Sequence, residues 1–348
     1  MFPLGFPLRI LQKRAKRGDS VLDPFCGRGT TNFAARLLGL GSLGVDTSPV
    51  ATAITSAKLA TVGVSDIMSE ARVILIQTEA TDIPKAEFWE WAYHPEVLHR
   101  ICQFRTAFMR DCSSSARVAL RGIILGALHG PRQKTFQSYL SNQSPRTYAP
   151  KPSYATRYWR RHDYRPAKVD MLDIVARRAN RYYGSLPDGT GEVRLGDSRV
   201  PSSLTPDKND PFFSWVITSP PYYGMRTYIP DQWLRHWFLG GPDRVDYTSE
   251  GQLLHSSPDE FVQDLRTVWD NVAEASAPDA TMIVRFGGIA ARQVRPLELA
   301  KASFRNSAWR LKTIIRAGSA REGKRQADAF LRNRTDPVVE FDLWAKLE

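Results

Sequence analysis

The chain has 348 residues, of which 42% are hydrophobic and 24% are charged, a balance typical of a folded globular protein. Its formal net charge of +12 predicts an anionic polymer as partner, and no apolar run approaches the roughly 20 residues that a membrane-spanning helix needs. Three cysteines without a Cys-x-x-Cys pair exclude a disulfide framework and indicate a reducing, cytoplasmic location.

The first part of the chain predicts half of a nucleotide-binding α/β sheet. A short amphipathic helix precedes it, and Thr30 or Thr31 is expected to cap the helix inside it. Its glycines permit a tight turn and close approach of the backbone to a ligand. The elements are a first helix at 2–12, a strand at 20–22, a turn at Gly27 and Gly29, a helix at 33–38 and a second strand at 42–45.

The loop after the first strand reads Asp-Pro-Phe-x-Gly-x-Gly-Thr, not the Gly-x-Gly-x-x-Gly that cradles a pyrophosphate. Asp23, at the strand tip, would repel a phosphate but pair with an amine. Asp46, at the end of the second strand, is placed to accept both hydroxyls of a ribose. These acids favour an amino-acid-bearing nucleoside, S-adenosylmethionine, over a dinucleotide.

Residues 65–166 are predicted to form a basic insertion, which is mainly helical and becomes rich in proline after residue 130. Residues 100–165 contain thirteen Lys and Arg against two acids, nearly the whole charge imbalance of the chain. Basic residues alternate there with aromatic ones, the composition that grips single strands and flipped nucleotides. A solvated basic loop whose aromatic side chains pack on the rest of the protein would explain the same letters.

The remaining chain returns to strands and helices, with hydrophobic periodicity as the guide. A third strand closes at Gly196-Asp197-Ser198, and two alternating segments near the end predict a closing strand pair. The elements are a helix at 169–184, strands at 191–195 and 215–217, a helix at 258–276, a strand at 281–288, a helix at 295–306 and strands at 311–317 and 336–347.

The apolar strand at 215–217 stops at Ser219-Pro220-Pro221-Tyr222. Neither proline donates a backbone N–H and each restricts the residue before it, so the strand cannot continue. The tip holds a hydroxyl and an aromatic ring in fixed relative positions, which suits a site that stacks a flat ring and holds its amino group. An ordinary proline turn is the plainer interpretation of these letters.

The segment around Asp23 resembles motif I of the amino-methyltransferases of DNA, and residues 219–222 resemble motif IV in its Ser-Pro-Pro-Tyr form. Residues 191–199 resemble motif III, whose acid, here Asp197, reads the amino group of the cofactor's adenine, although an ordinary Gly-Asp turn explains the same letters. The resemblance implies an α/β fold with a doubly wound, seven-stranded, Rossmann-like methyltransferase sheet whose last strand is antiparallel. It implies a catalytic domain of residues 1–64 and 167–348, with 65–166 as the target-recognition region. The insertion precedes motif III, which departs from the order usual for Ser-Pro-Pro-Tyr enzymes.

The resemblance further implies that S-adenosyl-L-methionine is the cofactor and that the acceptor is N4 of a cytosine flipped out of double-stranded DNA. The Ser219 hydroxyl and the Pro220 carbonyl would accept the two amino hydrogens, and Tyr222 would stack on the base. The predicted catalytic residues are Ser219, Pro220, Pro221 and Tyr222. The predicted cofactor-binding residues are Asp23, Pro24, Phe25, Gly27, Gly29, Thr30, Asp46, Thr47, Asp197 and Ser198. The predicted nucleic-acid-binding residues are Arg132, Lys134, Arg146, Lys151, Arg157, Tyr158, Trp159, Arg160, Arg161, Arg226, Lys324 and Arg325.

Ser in the first motif IV position resembles the cytosine-N4 group, whereas Asp or Asn is usual there in the adenine-N6 group. Because this correlation is imperfect, adenine N6 is the alternative acceptor. Methylation of RNA or of a protein glutamine, and a non-catalytic nucleic-acid-binding module, are further alternatives. The six histidines show no metal-ligand spacing, and no metal is predicted. The target sequence, the oligomeric state and the existence of a cognate restriction nuclease stay open.

Overall fold

The computed structural model describes residues 2–130, 137–142, 152–187, 189–207, 211–224, 232–245, 253, 257–288, 294–319 and 339–348. Contacts divide the chain into two units. Unit 1 comprises Met1–Thr55, Pro187–Arg226 and Glu250–Glu348, and unit 2 comprises Ser56–Leu186 and Thr227–Ser249. Unit 2 therefore contains the insertion predicted from the sequence, together with a second segment at 227–249 that the sequence did not assign to it.

Unit 1 is built on a seven-stranded sheet with the order β3-β2-β1-β4-β5-β7-β6. The strands are β1 Ser20–Asp23, β2 Gly41–Asp46, β3 Gly191–Leu195, β4 Phe213–Thr218, β5 Ser276–Phe286, β6 Trp309–Ser319 and β7 Val339–Leu347. The first five strands pair in parallel, and β7 is antiparallel to both β5 and β6. The predicted α/β class and the antiparallel last strand are thereby confirmed.

Both faces of the central strands are buried. Val21 and Leu22 follow each other on β1, so their side chains point to opposite faces, and each is fully buried in a different hydrophobic cluster. Such burial on both faces explains why the strands read as continuous apolar runs. Helices carried by unit 1 are α1 Gly5–Arg14, α2 Thr30–Leu37, α11 Pro258–Glu274 and α12 Pro296–Ser303, and α3 Pro49–Leu59 runs across the boundary at residue 55.

The carboxyl ends of the parallel strands meet at one edge of the sheet. Asp46 on β2 is in register with Leu195 on β3, and Asp23 ends β1 between β2 and β4. Because β1 pairs with β2 on one side and β4 on the other, the order of the strands reverses there, which is where such sheets bind ligands.

Unit 2 is helical in the part that the structure describes, and its core is aromatic. The rings of Trp89 and Trp237 lie with centroids 4.3 Å apart, and Trp233 lies against Phe88 at 5.1 Å. These two tryptophans explain why the segment at 227–249 groups with unit 2. Its helices are α4 Val64–Gln77, α5 Glu87–Ala92, α6 Pro95–Arg110, α7 Ser115–Ala127, α8 Pro152–Arg161, α9 Met171–Tyr183 and α10 Trp233–Phe238. Among the helices described, none is long and apolar enough to cross a bilayer.

A buried ion pair links β5 to β7. The Arg285 guanidinium donates to both oxygens of Asp342 at 2.7 and 2.8 Å, and the two residues are only 9% and 7% exposed. The same guanidinium lies over the ring of Phe6 at 3.6 Å. The pair therefore joins the antiparallel strand to the parallel sheet and to α1.

Replacing one partner of this pair is expected to destabilise the fold strongly. Asp342→Ala leaves the Arg285 charge buried without its partner, so the free energy of unfolding should fall by about 3 kcal/mol in urea denaturation. Glu298→Ala removes an exposed pair with Lys301 and should cost less than about 0.5 kcal/mol. Losses of similar size in the two variants would contradict a structural role for the buried pair.

Candidate active site

A buried hydrogen bond joins the tips of β1 and β4. The Thr218 hydroxyl donates to Asp23 Oδ1 at 2.6 Å across 195 residues of sequence, and the Phe25 N–H donates to the same oxygen at 3.2 Å. Close by, the Thr31 hydroxyl donates to the carbonyl of Ile217 at 2.9 Å. The loop that follows Asp23 and the tip that begins at Ser219 are therefore immediate neighbours.

Asp23 is only 2% exposed, and this burial raises the pKa of its carboxyl from 3.8 to about 6. Hydrogen bonds from the Thr218 hydroxyl and the Phe25 backbone lower the pKa and offset part of that rise. The nearby charge of Asp46 raises it slightly. Asp23 thus carries a carboxyl whose ionisation is costly, at the centre of the sheet edge.

The loop after β1 turns through two glycines in the left-handed region, Gly27 at φ +52° and Gly29 at φ +65°. The Gly27 N–H donates to Asp46 Oδ2, and the Ser48 N–H donates to Asp46 Oδ1, each at 2.9 Å. Burial raises the pKa of Asp46, which the two backbone donors partly offset. Since each carboxylate oxygen has two lone pairs, each can still accept one further donor.

Gly29 is required by space as well as by conformation, because a Cβ there would lie 2.5 Å from a Thr55 side-chain carbon. Thr55 in turn donates its hydroxyl to the Gly27 carbonyl at 3.1 Å. The expectation that Thr30 or Thr31 caps α2 is wrong. Gly29 is the N-cap, and no side chain makes a capping hydrogen bond there.

Asp197 lies just beyond the end of β3, where its carboxylate is held by Arg199. Arg199 donates to both oxygens, with the shortest contact at 2.6 Å, and also to Asp264 at 2.9 Å. Burial raises the pKa of Asp197, but the hydrogen bonds and charge of Arg199 outweigh it, and the net direction is downward. An adenine amino group at Asp197 would therefore share this carboxylate with the guanidinium.

The other predicted cofactor residues serve partly structural roles. Ser198 is buried and donates its hydroxyl to the Pro24 carbonyl at 2.6 Å, which fixes the end of β3 to the glycine loop. The half-buried ring of Phe25 meets Trp269 edge-on, with centroids 6.3 Å apart. Thr30 is half-buried and Thr47 is exposed, so both border the edge rather than the core.

The Ser-Pro-Pro-Tyr tip carries a hydroxyl at Ser219 and a phenol at Tyr222. Ser219 is half-buried, and no hydrogen bond of its hydroxyl occurs within the part of the chain that the structure describes. Pro220 is buried and Pro221 is half-buried. The Tyr222 hydroxyl donates to Glu340 Oε1 at 2.5 Å, and its ring meets Phe286 edge-on with centroids 5.7 Å apart.

The predicted nucleic-acid contacts are only partly described. Arg132, Lys134, Arg146, Lys151, Arg226, Lys324 and Arg325 lie outside the described residues. On α8, Arg157, Arg160 and Arg161 are exposed, and the half-buried Tyr158 lies 4.6 Å from the ring of His162. The expectation that Trp159 contacts a nucleic acid is wrong, because its side chain is fully buried and lies against Phe88.

Three residues at this edge were missed by the sequence interpretation. Thr218 lies between the apolar run at 215–217 and Ser219, and its position beside Ser219 was a usable signal. Arg199 stands two residues after Asp197, a spacing that permits the observed ion pair. Glu340 had no signal, since it lies 118 residues from its partner Tyr222.

Comparison with known proteins shows what the first segment is similar to. A family model for N6/N4 DNA methylases matches residues 1–56, which hold α1, Asp23, the glycine loop and Asp46. Residues 1–56 are thus similar to DNA methylases. The motif I resemblance is confirmed over this stretch, and S-adenosylmethionine, the cofactor of that family, is confirmed at the same level.

A curated relative supports the DNA methylase segment over a similarly short length. Type II methyltransferase M.BsoBI from Geobacillus stearothermophilus is 49% identical over 51 residues, 13% of this chain. The chain spans about a tenth of that relative's length.

Two solved methyltransferases align with most of the chain at low similarity. The rRNA methyltransferase aviRa from Streptomyces viridochromogenes covers 99% of this chain and 85% of its own at 13% identity, with a TM-score of 0.36. A SAM-dependent methyltransferase from Methanosarcina mazei covers 100% and 99% at 8% identity, also with a TM-score of 0.36. The fold assignment therefore rests on the observed sheet.

The residues of the DNA methylase segment fit a nucleoside with free ribose hydroxyls. Asp46 keeps acceptor capacity on both oxygens after its two backbone bonds. At Gly27 an added Cβ would find no atom closer than 4.0 Å, so a ligand can approach the backbone there. Among the described residues no cluster of His, Cys, Asp and Glu is arranged to hold a metal ion.

Asp23→Asn is expected to change how stability depends on pH. Between about pH 4 and pH 6 the folded state keeps a proton on Asp23 that the unfolded state has released, because the folded pKa is about 6. Between about pH 4.5 and pH 7 the free energy of unfolding of the wild type should therefore fall by about 2 kcal/mol more than that of the variant. Urea unfolding of both proteins at both pH values measures this change. If the free energies of unfolding of wild type and variant differ by the same amount at both pH values, burial does not raise the pKa of Asp23.

Proposed function

We propose that the protein is an S-adenosylmethionine-dependent methyltransferase that acts on the exocyclic N4 of a cytosine in DNA. The observation that carries this proposal is the Thr218–Asp23 hydrogen bond at 2.6 Å. It holds the loop of the DNA methylase segment directly beside the Ser219 tip. The end of β1 would face the methyl donor, and the end of β4 would face the methyl acceptor.

The proposed contribution of the chain is binding and orientation. Asp46 would accept the ribose hydroxyls, and the turn at Gly27 and Gly29 would let the cofactor approach the backbone. The cofactor, when bound, supplies a methyl group already activated on a sulfonium. Holding donor and acceptor in line should then provide most of the rate acceleration.

An exocyclic amine on a base is a poor nucleophile because its lone pair is delocalised into the ring. The hydroxyl of Ser219 and the carbonyl of Pro220 would each accept one amino hydrogen and favour a more pyramidal nitrogen. The half-buried Ser219 hydroxyl, which no described group takes up, supports this assignment. The base would have to leave the duplex, a cost of a few kcal/mol that stacking and edge hydrogen bonds offset.

DNA is the proposed polymer because of the family of the first segment and the charge of the chain. The net charge is +12, and Arg157, Arg160 and Arg161 present exposed cations on one short helix. Unit 2 is the proposed target-recognition region, since residues 100–165 fall within it and carry thirteen basic residues against two acids. Phosphate contacts of this kind position a protein on DNA without specifying the sequence.

The proposed reaction is tested by the product. The purified protein, incubated with labelled cofactor and plasmid DNA, should yield N4-methylcytosine in nucleoside mass spectrometry. Finding only N6-methyladenine would overturn the choice of base, which rests on Ser219. Label transferred to RNA or to a protein extract, with none in DNA, would overturn DNA as substrate.

Two variants should separate cofactor binding from methyl transfer. Asp46→Asn replaces a charged acceptor and should weaken cofactor binding about tenfold or more by calorimetry. Ser219→Ala should lower kcat about 10- to 100-fold with little change in cofactor affinity. Asp173→Asn, which removes an exposed pair with Arg177, is the matched control and should change neither quantity. Equal loss of both quantities in Ser219→Ala would argue against its role.

A further inference from the structure

A second buried acid reaches the edge of the sheet where Ser219 lies. Glu340, the second residue of β7, is only 3% exposed. Its Oε1 accepts the Tyr222 hydroxyl at 2.5 Å, a distance typical of a strong hydrogen bond to a carboxylate. Glutamate is almost never fully buried unless it is paired, so the burial of Glu340 beside Tyr222 needs a physical explanation.

The topology explains how Glu340 arrives there. Phe341 on the antiparallel strand β7 is in register with Phe286, the last residue of β5. The residue before Phe341 therefore lies beyond the end of β5, at the same edge as the tips of the parallel strands. A parallel strand in this position would bring its opposite end to that edge.

Gly287 leaves the space in which Tyr222 and Glu340 meet. A Cβ at this position would lie 2.9 Å from Glu340 Cγ and 3.2 Å from Tyr222 Cζ. Gly287 does not have a positive φ, so its backbone conformation does not require glycine. The small residue is needed because the phenol and the carboxylate fill the volume around it, while Phe286 supports the ring edge-on.

We propose that Glu340 is a positioning residue for methyl transfer, which anchors Tyr222 so that its ring is held ready to stack on the acceptor base. This inference rests on the proposed function, because it takes Tyr222 as the stacking residue. A ring that is already fixed loses less conformational entropy when the base arrives, so less binding energy is spent on ordering it.

Stability alone gives no reason for this pair. Burying a carboxylate carries a desolvation cost that an apolar pair of the same volume would avoid. A phenylalanine at 222 facing a leucine at 340 would fill the same space without that cost. The polar pair is therefore explained by the orientation it imposes on the Tyr222 ring.

The test uses the full-length protein with two readouts. Methyl transfer to DNA gives kcat, calorimetry gives cofactor affinity, and 3-fluorotyrosine placed at position 222 gives a 19F resonance that reports the ring's surroundings without any activity. Glu340→Ala should lower kcat about 10- to 100-fold with cofactor affinity unchanged, and should move the 19F resonance toward its position in the unfolded protein. Glu340→Gln keeps an acceptor and should restore kcat to within about fivefold of wild type. Glu348→Gln, an exposed acid beyond the other end of β7 paired with Lys312, is the control and should change neither readout.

The outcomes separate this inference from the proposed function. Loss of kcat in Glu340→Ala with rescue by Glu340→Gln supports the positioning role. Wild-type kcat in Glu340→Ala overturns it and leaves the proposed function standing. If the wild-type protein methylates no DNA, the proposed function fails, and the 19F resonance decides alone. A resonance that Glu340→Ala displaces and Glu340→Gln restores supports the anchor, whereas one that stays unchanged overturns it.

Discussion

The hydrogen bond from Thr218 to Asp23 is the contact on which the arrangement of this edge depends. It ties the tip of β1 to the tip of β4 across 195 residues, at the position where the strand order reverses. Burial raises the pKa of this carboxyl to about 6 even with its donors in place, and those donors offset part of the cost of ionising it. An apolar residue at position 23 would avoid the cost of burying a carboxyl but would remove the side-chain hydrogen bond between the two strand tips.

Acids are concentrated at this edge in a chain that is basic as a whole. Asp46 is held by two backbone donors, Asp197 by Arg199, and Glu340 by Tyr222. Each carboxylate thus has a different partner and a different remaining capacity to accept hydrogen bonds. Under the proposed function, a cationic sulfonium would lie near these acids while the anionic polymer met the basic surface elsewhere in the chain.

The sheet was largely predictable from the sequence, because strands buried on both faces appear as apolar runs and their ends are marked by Asp23, Asp46 and Asp197. The environments of individual side chains could not be predicted from the sequence. Trp159 lies in a basic, aromatic stretch that suggests a ligand surface, yet its neighbours in space make it core. The grouping of 227–249 with unit 2 depends on Trp233 and Trp237, whose partners are more than a hundred residues earlier. Contacts at such separation leave no periodic signal.

The antiparallel placement of β7 has a consequence for the order of assembly. Glu340 comes later in the sequence than Asp23, Asp46, Asp197 and Tyr222, and β7 inserts between β5 and β6. Ribosomes add about 5 to 20 residues per second, so Glu340 is synthesised tens of seconds after Asp23. Tyr222 is made 118 residues before Glu340 and so stays without this partner for roughly 6 to 24 s, and the edge of β5 stays unpaired until β7 is made. The time taken to translate residues 287–347 therefore sets how long the β5 edge stays without its β7 partner.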